Sequence, residues 1–169
     1  MALNEDTLVQ QTTADYLRDA LGWRSEFAYN TEVLGPEGSF GRKSEQDVVL
    51  TRILGEKLIA LNPGLPDAAY RDALRQIVEV GAGLRGMAAN REKYHLLRDG
   101  VKVSYRKPDG TLEVRTLRVF DFDTPENNDF LAVREVWVKG ELYRRRPDII
   151  GFVNGIPLLF IECKNIHKN

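Results

Sequence analysis

One cysteine, Cys163, and two histidines, His95 and His167, are too few for an intrachain disulfide or a Cys/His zinc site. No stretch approaches the roughly 18 consecutive apolar residues that a membrane-crossing helix needs. The opening MALNEDTLVQQ lacks the basic and apolar regions of a secretory leader. The expected compartment is therefore the cytoplasm, with no membrane partner. A surplus of either charge is also missing: 24 Lys and Arg against 25 Asp and Glu leave a net charge of −1, which argues against a uniformly basic nucleic-acid binder. No GxxxxGK[ST] loop occurs, so no ATP site is expected in this chain. Internal repeats, low-complexity runs and Pro/Ser-rich linkers are absent as well.

What is present suits one ordinary globular domain spanning 1–169, because 169 residues with 43% hydrophobic content can bury a core without staples. The charge is unevenly spread. Residues 1–67 carry 6 basic against 11 acidic side chains, whereas residues 134–169 carry 7 against 4. A basic C-terminal end is a weak pointer to an anionic partner there.

Periodicity divides the chain. Leu8, Val9, Tyr16, Leu17, Ala20 and Leu21 recur at helical spacing, predicting a helix over 6–21 stopped by Gly22. Ser44 and Asp47 resemble a capping arrangement for a second helix through about Leu61, ended by Pro63-Gly64. A third helix is expected after Pro66-Asp67 and a fourth over 88–97. From Val101 the pattern turns to strands. Segments 101–106 and 112–120 flank the turn residues Lys107-Pro-Asp-Gly110, and 130–138 is rich in β-branched and aromatic residues. Segments 148–153 and 156–163 are separated by Asn154-Gly155, a strong hairpin signal because both residues tolerate positive φ. Helices first and strands later imply α/β, bordering on α+β, with a mixed sheet flanked by helices and a helical N-terminal half.

The last strand reads as a buried central one, since Leu158 and Phe160 on one face and Leu159 and Ile161 on the other are all apolar. Yet it ends in Glu162 and Lys164, which share a face by the period of two. Asp148 brings a second carboxylate to the same end of the hairpin. A bare Glu-x-Lys is ordinarily a solvated ion pair, but two carboxylates and a lysine at the end of an apolar sheet are costly unless paired, hydrated or coordinated. Hard oxygen ligands suit Mg²⁺, which takes one or two carboxylates plus phosphate oxygens and water. The lysine can orient or help deprotonate the attacking water. This is the donor set of metal-assisted phosphodiester hydrolysis.

Strand register tests the idea. An ideal two-residue turn at Asn154-Gly155 sets Asp148 across from Ile161, pointing away from Glu162. A one-residue bulge in the first strand, with Gly151 as the natural place, sets it opposite Phe160 and on the Glu162/Lys164 face. A bulge or strong twist near Gly151 or Pro157 is therefore predicted.

Pro147-Asp148, thirteen residues and then Glu162-Cys163-Lys164 resemble the PD-(D/E)xK nuclease core. The surroundings are more specific. Gly35-Pro-Glu-Gly38, Leu61-Asn-Pro-Gly-Leu-Pro66, Ala89-Asn-Arg91, Asp99-Gly-Val101, Pro125-Glu-Asn-Asn-Asp-Phe130 and the run from Gly140 to Asp148 are similar to the N-terminal endonuclease domain of type I restriction enzyme R subunits, across nearly the whole chain. The resemblance implies a restriction-endonuclease-like fold that cuts double-stranded DNA with Mg²⁺, for which Mn²⁺ could substitute. It further implies a longer polypeptide carrying an ATP-driven motor, with methylation and specificity subunits as partners. On it Asp148 and Glu162 are metal ligands, and Asp148, Glu162 and Lys164 are catalytic.

The sequence departs from the family at three points. An acidic residue is usual in the first helix about eleven residues before the Gly-Trp pair, whereas Gln10 and Gln11 stand before Gly22-Trp23. Either Asp15 substitutes or the metal has fewer carboxylates. Cys163 replaces the commoner leucine and should behave as a small apolar core residue. A Gln-xxx-Tyr motif, found in some members, would fall beyond Asn169. Nearby, Arg144, Arg145 and Arg146 are candidate contacts to DNA phosphates, with Arg145 facing away from the other two if all lie on a strand. Asn127, Asn128, Asp129 and Phe130 could line a cleft or form a turn; Trp23 and Trp137 are expected to pack. Two other readings compete with a restriction nuclease: a catalytically weakened docking or DNA-positioning module, and a repair or recombination nuclease on the same core.

Overall fold

The computed structural model describes residues 5–79 and 86–163. The fold is α/β, with four helices and a mixed sheet. The chain divides into two compact units, one formed by the residues up to Arg52 and from Asp129 onward, the other by Ile53–Asn128. None of the described helices is long and apolar enough to cross a membrane.

The first unit holds helix α1 (Glu5–Leu21) and strands β1 (Arg24–Phe27), β4 (Phe130–Arg134), β5 (Val138–Lys139), β6 (Arg144–Arg145), β7 (Ile149–Val153) and β8 (Ile156–Ile161). Four of these form a sheet in the order β1-β4-β7-β8. β1 runs parallel to β4, and the other pairs are antiparallel. Ala14 and Leu17 of α1 pack with Ala132 of β4 and Ile149 of β7, and Trp23 and Ile161 close over that cluster. Gly22, at φ +71°, ends α1 as expected and turns the chain directly into β1.

The second unit holds the rest of α2 (Thr51–Leu61), α3 (Asp67–Val78), α4 (Met87–Asp99) and the antiparallel hairpin of β2 (Val101–Arg106) and β3 (Leu112–Leu117). The inward residues Leu54, Leu58, Ala73, Ile77, Val101 and Leu117 are buried. These elements follow the sequence closely, with β3 ending three residues before Phe120.

Four expectations are corrected. β1 was not legible, because only one of its four residues is even half-buried and no alternation marks it. The second helix begins at Thr51 rather than near Ser44, because the Asp47 carboxylate accepts the Lys43 and Ser44 N–H groups and holds a loop instead of a cap. The segment 130–138 is broken after Arg134, where Glu135 takes φ +52° and its N–H donates to the Asp148 carbonyl. Finally β8 is an edge strand with Leu158 and Phe160 exposed, and the strand buried along its length is β7. An apolar run alone does not separate a central strand from an edge strand with one uncovered face.

The Asn154-Gly155 turn has φ values of +50° and +79°, as the hairpin requires. Asn154 does more than turn. It is fully buried, its Oδ1 accepts the Asp129 N–H at 2.7 Å, and its own N–H donates to the Asp129 carbonyl at 2.8 Å. Asp129 in turn accepts both arms of Arg24, which ties the starts of β1 and β4 together. Buried Arg42 donates both arms to Glu32, at 2.8 and 2.6 Å, and reaches the Trp137 carbonyl, fixing the long loop between β1 and α2.

Gly151 sits where no side chain fits: an added Cβ would lie 2.8 Å from the Trp23 ring and 2.9 Å from the Leu159 Cβ. Gly151→Ala should therefore lower stability by about 1–3 kcal/mol through overpacking, a drop of several degrees in Tm. An unchanged thermal melt would show that Trp23 does not hold this position.

Candidate active site

The β7–β8 ladder is irregular where it matters. Ile149 pairs with Ile161, Ile150 with Phe160 and Gly151 with Leu159, but Phe152 pairs with Pro157, so Leu158 is an extra residue in β8. The predicted irregularity is present at Gly151, with the correction that the bulge belongs to the second strand and not the first. Its effect on parity is the one anticipated. Continued one residue past Ile149↔Ile161, the register brings Asp148 level with Glu162 rather than with Ile161.

Asp148 is half-buried and both its oxygens are held. Oδ2 accepts the Cys163 N–H at 2.6 Å, and Oδ1 accepts the side-chain amide of Gln10 at 3.2 Å. Glu162 is exposed. Cys163 is half-buried rather than in the core, and its backbone N–H meets Asp148. Lys164 lies outside the described residues, as does His167.

Among the described residues no group of three or more His, Cys, Asp and Glu side chains gathers as a ligand cluster. Two carboxylates at an open strand end nevertheless fit Mg²⁺, a hard ion that keeps several waters and uses one or two protein carboxylates. Among the described residues each oxygen of Asp148 accepts one hydrogen bond, and a carboxylate oxygen can accept more than one.

In the first helix, Gln10, Ala14 and Leu17 share the face turned to the sheet, and Gln10 is only 4% exposed. Asp15 does not take the place of the missing acid. Its carboxylate accepts from Gln11 at 2.9 Å and pairs with Arg18 at 3.0 Å. Gln11 also accepts a hydrogen bond from Arg134 of β4, so consecutive glutamines join α1 to β4 and to the residue just before β7. Sequence reading flagged Gln10 as a departure, but only the folded chain shows its contact with Asp148.

The three arginines are used differently. Arg144 donates both arms to Glu45, at 2.7 and 2.5 Å, and stacks 3.7 Å from the centre of the Trp137 ring. Arg146 pairs with Glu135 at 3.1 Å and lies over Tyr29 and Trp137. Arg145 is exposed beside Tyr143 with no carboxylate partner among the described residues. The Glu45 carboxyl is held below the ordinary glutamate range by its hydrogen bonds from Arg144.

The other candidates fall to structural roles. Asn128 accepts the Asp121 N–H and donates to the Asp121 and Pro125 carbonyls, and Asn127 donates to the Asp121 carboxylate, so both build a turn. Asp129 is held by Arg24 and Asn154. Trp23 packs against Phe130 at a ring separation of 5.2 Å. His95 is exposed on α4 beside Asp99.

The same chain matches relatives over almost its full length. It is 37% identical over 164 residues to the type I restriction enzyme HindI endonuclease subunit of Haemophilus influenzae, covering 96% of this chain and 15% of that protein. It is 28% identical over 175 residues to the putative type I restriction enzyme MjaIXP endonuclease subunit of Methanocaldococcus jannaschii, covering 99% of this chain and 16% of that protein. The chain thus spans about a sixth of the length of these relatives. The family model of the type I restriction enzyme R protein N terminus (HSDR_N) matches residues 2–169, and the chain belongs to that family.

Proposed function

We propose that this domain is the Mg²⁺-dependent endonuclease module of a cytoplasmic type I restriction enzyme. It would hydrolyse phosphodiester bonds of double-stranded DNA, while a specificity subunit selects the target, a methylation subunit completes the complex, and a motor elsewhere uses ATP to move DNA. The observation that carries this reading is the β8 bulge, whose register, continued one residue past the ladder, would set Asp148 level with Glu162, in a chain of this family. The relatives' names as endonuclease subunits support it.

Asp148 and Glu162 would hold Mg²⁺, with Mn²⁺ an acceptable substitute of the same ligand preference. The ion, when bound, supplies Lewis-acid polarisation of the phosphoryl group and a more acidic water. Asp148 is kept in one orientation by Gln10 and the Cys163 N–H. Lys164, two residues along the chain from Glu162, would orient the attacking water and offset charge at the phosphorus. Arg145, the one member of the triplet without a carboxylate partner among the described residues, would meet a phosphate. A second reading, a module that positions DNA without cutting, is favoured by Gln10 standing where the family usually has an acid.

In the assembled full-length enzyme, Asp148→Ala, Glu162→Ala and Lys164→Ala should each abolish cleavage with ATP hydrolysis retained, and chelation should stop cleavage until Mg²⁺ or Mn²⁺ is returned. Cleavage at the unmodified rate in the Asp148 and Glu162 variants would reject the site. The arginines separate by salt dependence. Arg145→Ala should weaken DNA binding and reduce the slope of log K against log salt by about 0.9, the value for one phosphate contact. Arg144→Ala should instead loosen the β5–β6 hairpin, read as faster amide exchange there. Equal slopes for Arg145→Ala and the unmodified enzyme would remove Arg145 from the interface.

A further inference from the structure

Gln10 is a polar side chain on the apolar face of α1, in register with Ala14 and Leu17, both buried in the cluster against the sheet. A buried amide at such a position costs stability unless its hydrogen-bonding groups are used. Its Nε2 reaches across 138 residues of sequence to Oδ1 of Asp148. The neighbouring Gln11 is fixed on two sides, donating to Asp15 and accepting from Arg134, which holds this turn of the helix at β4.

We propose that Gln10 is a positioning residue of the metal site: a neutral donor that fixes the Asp148 carboxylate and confines the protein's ligand set to Asp148 and Glu162. The inference rests on the metal-binding reading above. Two features define the role. With the Cys163 N–H on Oδ2 and Gln10 on Oδ1, rotation of the carboxylate is stopped from both sides before any cation arrives. Because the amide is uncharged, Asp148 has no third carboxylate beside it, so the metal-free site carries less repulsion. A glutamate at position 10 would reverse both features, offering a ligand where the amide offers a proton.

The experiment is a set of Mn²⁺ titrations of the intact subunit, by calorimetry and electron paramagnetic resonance, with Asp148→Ala defining the background from other cation sites. Gln10→Met, which keeps an unbranched chain but removes the donor, should weaken Mn²⁺ binding roughly ten- to a hundredfold, the usual effect of removing a hydrogen bond to a metal ligand. Gln10→Glu should move it the other way, giving tighter binding or a second bound ion. In metal-free protein Gln10→Met should also speed amide exchange at Cys163, whose acceptor is then free to turn. Opposite signs from two substitutions at one position are not what a purely structural glutamine produces.

Affinity unchanged in both variants, or lowered in both, overturns the proposal. If circular dichroism shows that Gln10→Met has not folded, Gln10→Glu alone decides: tighter or additional binding supports the role, and unchanged or weaker binding overturns it. If unmodified protein and Asp148→Ala bind Mn²⁺ identically, the metal reading itself fails, which is a separate result.

Discussion

One extra residue in an edge strand governs the geometry of the sheet end that carries Asp148. Side chains on a strand alternate with period two, so a single-residue shift exchanges the faces completely. Without Leu158 looping out, the tight Asn154-Gly155 turn would set Asp148 against Ile161 and leave Glu162 on the far side. With it, the register continued one residue past Ile149↔Ile161 sets Asp148 level with Glu162. The bulge is tolerated because β8 lies at the edge of the described sheet, where one interrupted ladder bond faces no further strand among the described residues. Gly151 answers from the partner strand, leaving room for the Trp23 ring and for the Leu159 Cβ.

That dependence explains why the site end is assembled from distant segments. The turn that fixes the register is held by Asp129, through two hydrogen bonds to Asn154. The Asp148 carbonyl is engaged by Glu135 N–H, at the residue whose positive φ ends β4. Its carboxylate is engaged by α1 and by the residue after Glu162. Backbone and side chain of one aspartate are thus fastened to three separate parts of the chain, which limits its freedom in the way a preorganised ligand requires.

Much of this was legible in the sequence, and the remainder has physical reasons. Helices α1, α3 and α4 and the β2–β3 hairpin announced themselves because periodicity and stop residues coincide, as at Gly22 and Pro66-Asp67. The Asn-Gly hairpin and the need for an irregularity near Gly151 followed from turn chemistry and parity. The strand carrying the bulge did not follow, because inserting a residue on either side of the ladder gives the same parity. β1 was hidden since a short, mostly exposed parallel strand has no hydrophobic alternation. The edge position of β8 was hidden too, because Leu158 and Phe160 look like core residues in a string of letters while being exposed in the fold. Gln10 could be noticed only as an oddity, since its partner lies 138 residues away.

The arginine triplet shows how charge counts mislead. Three consecutive cations suggest a strong anion-binding patch, and the surplus of basic residues after Arg134 encourages that view. Exposed ion pairs contribute little singly, about 0–1 kcal/mol, but Arg144 combines a two-armed pair with Glu45 and close stacking on Trp137, a geometry that binds the side chain to its own fold. Arg146 is engaged less fully, by a single contact with Glu135 at 3.1 Å and by lying over the Tyr29 ring. For a phosphate to recruit Arg144, it must displace a planar carboxylate already matched to the guanidinium, which cancels most of the gain. Arg145 has no carboxylate partner among the described residues, so it is the member of the triplet most open to an anion. A lone contact of this kind can orient an anionic partner without binding it tightly.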